Sequence, residues 1–457
     1  MVVTVVTVVT VTRRGAEVPI CPEVTAVVTR ELVVTPFAPM DPWPKKYKVY
    51  AIEKESYVVP LHWAKATWPD ARWVDTRGPG APAHLVFHGE LKADLGQVEA
   101  VSKVEASWAE TGGALMCLGV GQGKTATALY LASRLKTKTL VVVHKTFLKD
   151  QWRSRVAQFL PGATVSEVQG DVCDTSGDIV LAMVQTLVSR KYAPSTFESI
   201  GLVVVDEAHH WAAKELSHTM LGLCAPYTLA LTATPERKDR LERVVSWFLG
   251  ALAVCIKRDK SAGTVVRHLT YSCPAYQAPP PFNRRGDVDY TGIVTALAEN
   301  GDRTSTVCQA ARDVVQEGHH VLVLSHRRDH CTAIASGLVA LGVDAATYLG
   351  GDKTIPETRV IVATFSLTSE GFDCPRLSAL VLATPSSNVE QACGRVMRGS
   401  ARSAVIVDVV DSWGICFAQA AKRRSFYRKS GFTFDKAGPP APPAPPAAPM
   451  GFAFLAD

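Results

Sequence analysis

The chain has 457 residues, 47% of them hydrophobic and 20% charged, a soluble globular composition too long for one ordinary core and suited to two domains with appendages. No run of about 18 apolar residues is present, which argues against a helical membrane protein. The formal net charge of +6, from 49 basic and 43 acidic residues, permits a polyanionic partner without demanding one. Basic charge gathers late, with nine Lys or Arg against four acids between Ser386 and Lys436. The 11 cysteines form no CxxC pair and no Cys/His cluster at zinc-ligand spacing, as expected of reduced thiols in an intracellular protein.

Residues 1–35 open with "MVVTVVTVVTVT", whose period of three matches neither a pleated strand nor a helix face, so a low-complexity tail is expected. It lacks the basic leader of a secretory signal. Residues 36–85, rich in Pro and Trp, are expected to form a small accessory region. From 86 to 255, short apolar runs alternate with helical stretches: "TLVVVHK", "DIVLAMVQT", "IGLVVVDEAHH" and "TLALTATP" look like buried parallel strands ending in loop-like residues. The irregular, Pro-containing stretch 256–300 is expected to be a linker. The same rhythm restarts over 301–436, with "HHVLVLSHRRDH", "TRVIVATFSL", "SALVLATPSS" and "SAVIVDVVD". Two α/β domains with parallel sheets follow from this pattern. Residues 437–457 begin with "AGPPAPPAPPAAP", a polyproline spacer and a candidate contact for a protein partner, and both tails are expected to be disordered.

Within the first domain, "GVGQGKT" (119–125) sits between an apolar run and a helical one. Such a loop cradles phosphate, because its N–H groups point inward and the helix N-terminus adds partial positive charge. Gly121, Gln122 and Gly123 bring the backbone close, Lys124 reaches the β- and γ-phosphates, and the Thr125 hydroxyl sits on Mg²⁺. The full GxxxxGK[ST] pattern wants Gly at 118, where this chain has Leu118. Downstream, "LVVVDEAHH" puts Asp206 and Glu207 just past a buried strand, which suits Asp206 to the metal through water and Glu207 to the attacking water. His209 is a candidate sensor of the γ-phosphate. Thr232 and Thr234 of "LTATP" are candidates to relay nucleotide state through hydroxyl hydrogen bonds.

In the second domain, "VEQACGRVMRG" (389–399) spaces Gln391, Arg395 and Arg398 at i, i+4 and i+7, along one helix face. Two guanidinium groups so placed suit a γ-phosphate approached from outside the first domain. "ATFSLTSEGFDCP" (363–375) offers Thr364 and Asp373 at a strand end, for a phosphodiester backbone or a nucleotide ribose.

In this order, "GQGKT", "VVVHKTFLKDQW", "LAMVQTL", "VVVDEAHH", "LTATP", "VLVLSHRRDH", "ATFSLTSEGFD" and "QACGRVMR" resemble motifs I, Ia, Ic, II, III, IV, V and VI of the superfamily two helicases, the DEAD/DEAH-like class. The resemblance covers roughly residues 86–434 and is nearest to helicases of large DNA viruses and some phages. It implies two RecA-like domains, ATP and Mg²⁺ as cofactors, and Arg395 and Arg398 acting as fingers across a cleft, with Gln391 beside them. Gln97 is similar in place to the upstream glutamine near adenine.

On that resemblance, a nucleic acid strand lies across both domains and is held by its phosphates. Lys145, Thr146, Gln185, Thr186, Arg327 and Thr364 are the candidate contacts, with the basic helix around Lys422–Lys429 extending the track. The expected function is an ATP-dependent helicase or translocase, on DNA in preference to RNA, in the host nucleus or a cytoplasmic virus factory if viral. A duplex translocase that displaces transcripts or proteins without strand separation, and a non-hydrolysing nucleotide-dependent clamp, stay open as alternatives.

Overall fold

A computed structural model of the chain describes residues 6, 8–37, 43–119, 121–190, 192–208, 213–233, 240–256, 263–283, 286, 288–350, 352, 354–369, 374–387, 389–397 and 403–435. The chain divides into two compact units, residues 1–258 and 259–457. Each is built on a parallel sheet with its own core, the architecture of two RecA-like domains.

The sheet of the first unit has eight strands, in the order 172–173, 165–169, 179–183, 139–143, 202–205, 227–232, 113–118 and 252–256. All neighbours are parallel except the short hairpin pair 165–169 and 172–173. Strands Gly113–Leu118, Thr139–Val143, Ile179–Met183 and Leu202–Val205 are buried at every residue. Cover on both faces is why they read as unbroken apolar runs without alternation. On one face, Met116, Leu129, Val141, Trp152, Leu181 and Val204 belong to one hydrophobic cluster. Because the strands are parallel, their carboxyl ends meet at one edge, where open α/β sheets bind ligands.

From residue 8 on, the stretch expected to be a low-complexity tail is folded. Val8–Thr12 and Gly15–Pro19 form a hairpin within a five-stranded sheet, ordered 51–53, 56–59, 15–19, 8–12 and 72–75. Where the Val-Val-Thr repeat ends in a single Val-Thr, valine and threonine alternate over 9–12, so Val9 and Val11 are buried while Thr10 and Thr12 stay partly exposed. Two β-branched residue types both suit a pleated surface, and the period of three hides the alternation. This sheet, with helices Pro22–Glu31 and Leu61–Thr67, shares a continuous core with the other face of the first unit's large sheet. Arg13 pins it there, its guanidinium donating to the carbonyls of Ile200 (2.5 Å), Glu198 (2.6 Å) and Gly78 (2.9 Å).

Among the described residues, the sheet of the second unit has seven strands, all parallel, in the order 345–348, 360–364, 321–325, 379–382, 405–411, 265–271 and 433–434. The expected linker 256–300 is therefore only partly one: Val265–Tyr271 pairs with Val405–Asp411 over its whole length, and Tyr290–Glu299 is a helix. Its polar residues Arg267, His268 and Thr270 conceal a strand that an apolar-run criterion passes over. Two buried ion pairs fasten this unit. Arg303 donates to both oxygens of Asp411 (2.6 and 2.9 Å), and Arg423 donates to Asp408 (2.7 Å). Helix Gly414–Lys429 thus turns Arg423 and Tyr427 inward, so only part of its basic run faces outward. The Pro-rich tail, 437–457, lies outside the described residues.

His330, on helix Arg328–Ala340, is buried and shares hydrogen bonds with Ser325 (2.9 Å) and Thr304 (3.2 Å). Burial, with Arg303 nearby, lowers it from the ordinary 6.5 to about 4. The unfolded chain therefore binds a proton here that the folded chain refuses, and stability is complete above pH 6.5 and lost as the pH falls toward 4. Denaturant titrations at pH 7 and pH 5 should differ by about 2 kcal/mol less in His330→Asn than in the wild type. An unchanged difference would remove His330 from the acid response.

Candidate functional site

Strand Gly113–Leu118 passes through residues 119–123 into helix Lys124–Leu135. Leu118 is fully buried as the strand's last residue, so the loop starts one residue later than the GxxxxGK[ST] pattern has it. Gly121 and Gly123 have φ of 83° and 81°, in the left-handed region open to glycine. No side chain caps the helix start, which leaves its first N–H groups available to an anion.

Two glutamines hold the loop. Gln122 donates to the Leu95 carbonyl (3.1 Å) and accepts from the Gly119 N–H (2.6 Å). Gln97 donates to the Gln122 carbonyl and accepts from the Lys92 N–H, both at 2.9 Å. A Cβ on Gly123 would come within 2.3 Å of the Gln97 amide, so the glycine is also needed for this close approach. Gln97 is therefore a brace for the phosphate loop, whatever else it touches.

Two strands away in the sheet order, Leu202–Val205 ends in Asp206, whose N–H donates to Val142 (3.1 Å). Glu207 follows with φ of 48°, a left-handed conformation that costs a non-glycine residue roughly 1–3 kcal/mol. Asp206 is buried. Its Oδ1 accepts from the Glu207 N–H (2.9 Å) and its Oδ2 from the Trp152 indole N–H (2.8 Å). Burial, with the neighbouring Glu207 charge, pushes the Asp206 carboxyl up to about 6, against the pull of Trp152, Lys124 and the Glu207 N–H.

The loop and the carboxylates meet. Lys124 Nζ lies 3.9 Å from Glu207 Oε1 and donates to the Leu118 carbonyl (3.3 Å). Thr125 is the second residue of the same helix. Among the described residues, no group of three or more His, Cys, Asp or Glu could hold a metal. Thr232 ends the strand between these two, paired with Cys117, and is buried. His209 and Thr234 lie outside the described residues.

In the second unit, helix Glu390–Val396 buries Ala392, Cys393, Gly394 and Val396 and leaves Gln391 and Arg395 partly exposed one turn apart. Arg398 and Asp373 lie outside the described residues. Four successive residues before this helix are held. Ala383 O accepts from Arg303 (2.7 Å), the Thr384 hydroxyl from the His326 N–H (3.0 Å), Pro385 O from Tyr290 (2.5 Å), and Ser386 O from Arg423 (2.7 Å). The approach to the candidate fingers is thus rigid, and no motif of the sequence pointed to these braces.

Candidate strand contacts vary in what they already do. Lys145 and Thr146 open helix Thr146–Phe159, and Gln185 joins that edge by donating to the His144 carbonyl (2.8 Å). Thr186 is buried and accepts from the Gly170 N–H (3.0 Å). Arg327 donates to Thr291 O and the Thr295 hydroxyl, and Thr364 shares a hydrogen bond with Ser366.

Residues 90–237 match the family profile of the type III restriction enzyme res subunit. Over 369 residues the chain is 25% identical to a putative ATP-dependent RNA helicase of Acanthamoeba polyphaga mimivirus, covering 77% of this chain and 70% of that one. It is 26% identical over 328 residues to a probable helicase of Escherichia phage T5, covering 68% and 71%. A putative helicase of Invertebrate iridescent virus 6 shares 24% over 373 residues, covering 76% and 82%. Among solved structures, T4 UvsW aligns over 94% of this chain and 98% of its own at 14% identity and a TM-score of 0.40. The helicase domain of Pyrococcus furiosus Hef aligns over 72% and 98% at 15% identity and 0.48.

The Gln97 brace is testable. Gln97→Ala should weaken ATP and GTP binding alike, by about tenfold for the loss of its two loop hydrogen bonds. A loss confined to ATP in equilibrium binding would make Gln97 a reader of the base instead.

Proposed function

We propose that this chain, a superfamily two helicase similar to those of large DNA viruses and phages and hence a nucleic-acid-dependent ATPase, is a motor that moves on DNA. The observation that carries the reading is the meeting of Lys124 with the Asp206–Glu207 pair at the carboxyl edge of one parallel sheet, with Lys124 Nζ 3.9 Å from Glu207. A Lys at a phosphate loop beside a buried carboxylate and an acid able to take a proton from water is the minimum for phosphoryl transfer.

In this reading the loop N–H groups and Lys124 bind the triphosphate, and Glu207 orients and deprotonates the attacking water. Thr125 and Asp206 would hold Mg²⁺, which would supply charge neutralisation for the triphosphate. His209 senses the γ-phosphate, Thr232 and Thr234 relay its state, and Asp373 reaches the ribose or the strand. Gln391, Arg395 and Arg398 serve the transferred phosphoryl group from the second unit. Lys145, Thr146, Gln185 and Thr364 are assigned to strand phosphates. Arg327, partly exposed, is assigned likewise, and Thr186, which is buried, supports the backbone near Gln185 by accepting from the Gly170 N–H.

The kinship with DNA-virus and phage proteins supports DNA as the track, inside the infected cell. No described helix is long and apolar enough to cross a membrane. A second reading, an RNA helicase, is favoured by the names of the mimivirus and African swine fever virus relatives, both called putative ATP-dependent RNA helicases.

ATP hydrolysis measured with single-stranded DNA, duplex DNA and single-stranded RNA separates these. DNA should stimulate the wild type, and Glu207→Gln should lower kcat about 10²-fold or more while leaving ATP binding intact. Stimulation should fall steeply with salt, because phosphates are the contacts. RNA-specific stimulation would favour the second reading, and hydrolysis indifferent to every polymer would contradict both.

A further inference from the structure

Helix Thr146–Phe159 connects two places that the reading above treats separately. Its first residues, Lys145 at the cap and Thr146, are assigned to strand phosphates. Its buried face, Lys149, Trp152 and Val156, lies against the sheet. Lys149 donates to Glu167 (2.6 Å) and to Gln169, which ties the helix to strand Val165–Gln169 and fixes its rotation. Less than two turns on from Thr146, about 9 Å along the axis, Trp152 donates its indole N–H to Asp206 Oδ2 at 2.8 Å.

A buried indole needs a partner for its N–H, and a backbone carbonyl usually serves. Here the partner is the carboxylate that the nucleotide-site reading gives to Mg²⁺. The other oxygen of that carboxylate takes the Glu207 N–H, so each oxygen has a protein donor and the plane of the group is set from two sides. Trp152 is 1% exposed, packed in the core between the sheet and its helices, and has no freedom to follow a carboxylate that rotates away.

We propose that Trp152 is a positioning residue of the metal-nucleotide site. Its N–H holds Asp206 in the orientation that accepts Mg²⁺ and makes the strand-contacting helix the lever that sets that orientation. The proposal rests on the nucleotide-site reading and goes beyond it, since Trp152 touches neither nucleotide nor metal.

The test removes one hydrogen atom's function while keeping the ring. Trp152 is replaced in the full chain by benzothienylalanine, whose sulfur stands where the N–H was, with Trp152→Phe as a second variant. Binding of a fluorescent ATP analogue is titrated with Mg²⁺, so the readout is nucleotide affinity and not turnover. The expected result is a rise of about fivefold to tenfold in the Mg²⁺ concentration at half-effect, with metal-free binding and the thermal midpoint of the benzothienyl variant unchanged. In an Asp206→Asn background the same replacement should add nothing to whatever Mg²⁺ dependence remains.

A wild-type Mg²⁺ midpoint in the benzothienyl variant would overturn the proposal. So would an equal shift in the Asp206→Asn background, which would trace the effect to packing. If the unmodified chain bound no nucleotide, with or without Mg²⁺, the nucleotide-site reading itself would fall and the proposal with it.

Discussion

A carboxylate held out of water at the end of a parallel strand is the constraint around which the first unit is organised. An isolated buried charge is costly, and left alone Asp206 would take up a proton instead. The chain meets that cost with three groups of different origin: the N–H of Glu207, the indole of Trp152 and the ammonium of Lys124. Each comes from a different element, so the strand, the helix Thr146–Phe159 and the phosphate loop must all be in place before the site exists. The left-handed backbone at Glu207 lies at the same point of the chain, directly after the N–H that Asp206 accepts.

The second unit meets a similar problem with full ion pairs. Arg303 with Asp411 and Arg423 with Asp408 are both buried, and each arginine spends a further N–H on the short loop that leads into helix Glu390–Val396. Buried pairs of this kind are weak sources of net stability, but removing one partner is costly. Here they define the path of the four residues from Ala383 to Ser386, with His326 and Tyr290 completing the clamp. Positive charge that looked like a strand-binding track is thus partly structural, as Arg423 illustrates.

The layout of the candidate site in the first unit was legible in the sequence because it resides in local order. A glycine loop before a helix and two acids after an apolar run can be recognised without knowing the fold, and Lys124 and Glu207 do come together. Leu118 departed from the expected pattern, and the strand explains it, because the residue is core and the loop begins after it. What was hidden depends on distant partners. Trp152 is separated from Asp206 by 54 residues and Gln97 from Gln122 by 25, and nothing in their neighbourhoods names those partners. Two strands were missed where composition masked periodicity, Val8–Thr12 in the Val/Thr repeat and the polar Val265–Tyr271.

The central claim is that ATP hydrolysis at this site moves the protein along DNA. The most direct measurement is ATP-dependent release of streptavidin from end-biotinylated single-stranded and duplex DNA, with Glu207→Gln beside the wild type. The account predicts release from at least one of these tracks that needs hydrolysable ATP, slows as the DNA in front of the block is lengthened, and is lost in Glu207→Gln. Hydrolysis that proceeds normally on DNA with no release from either track at any length would contradict it.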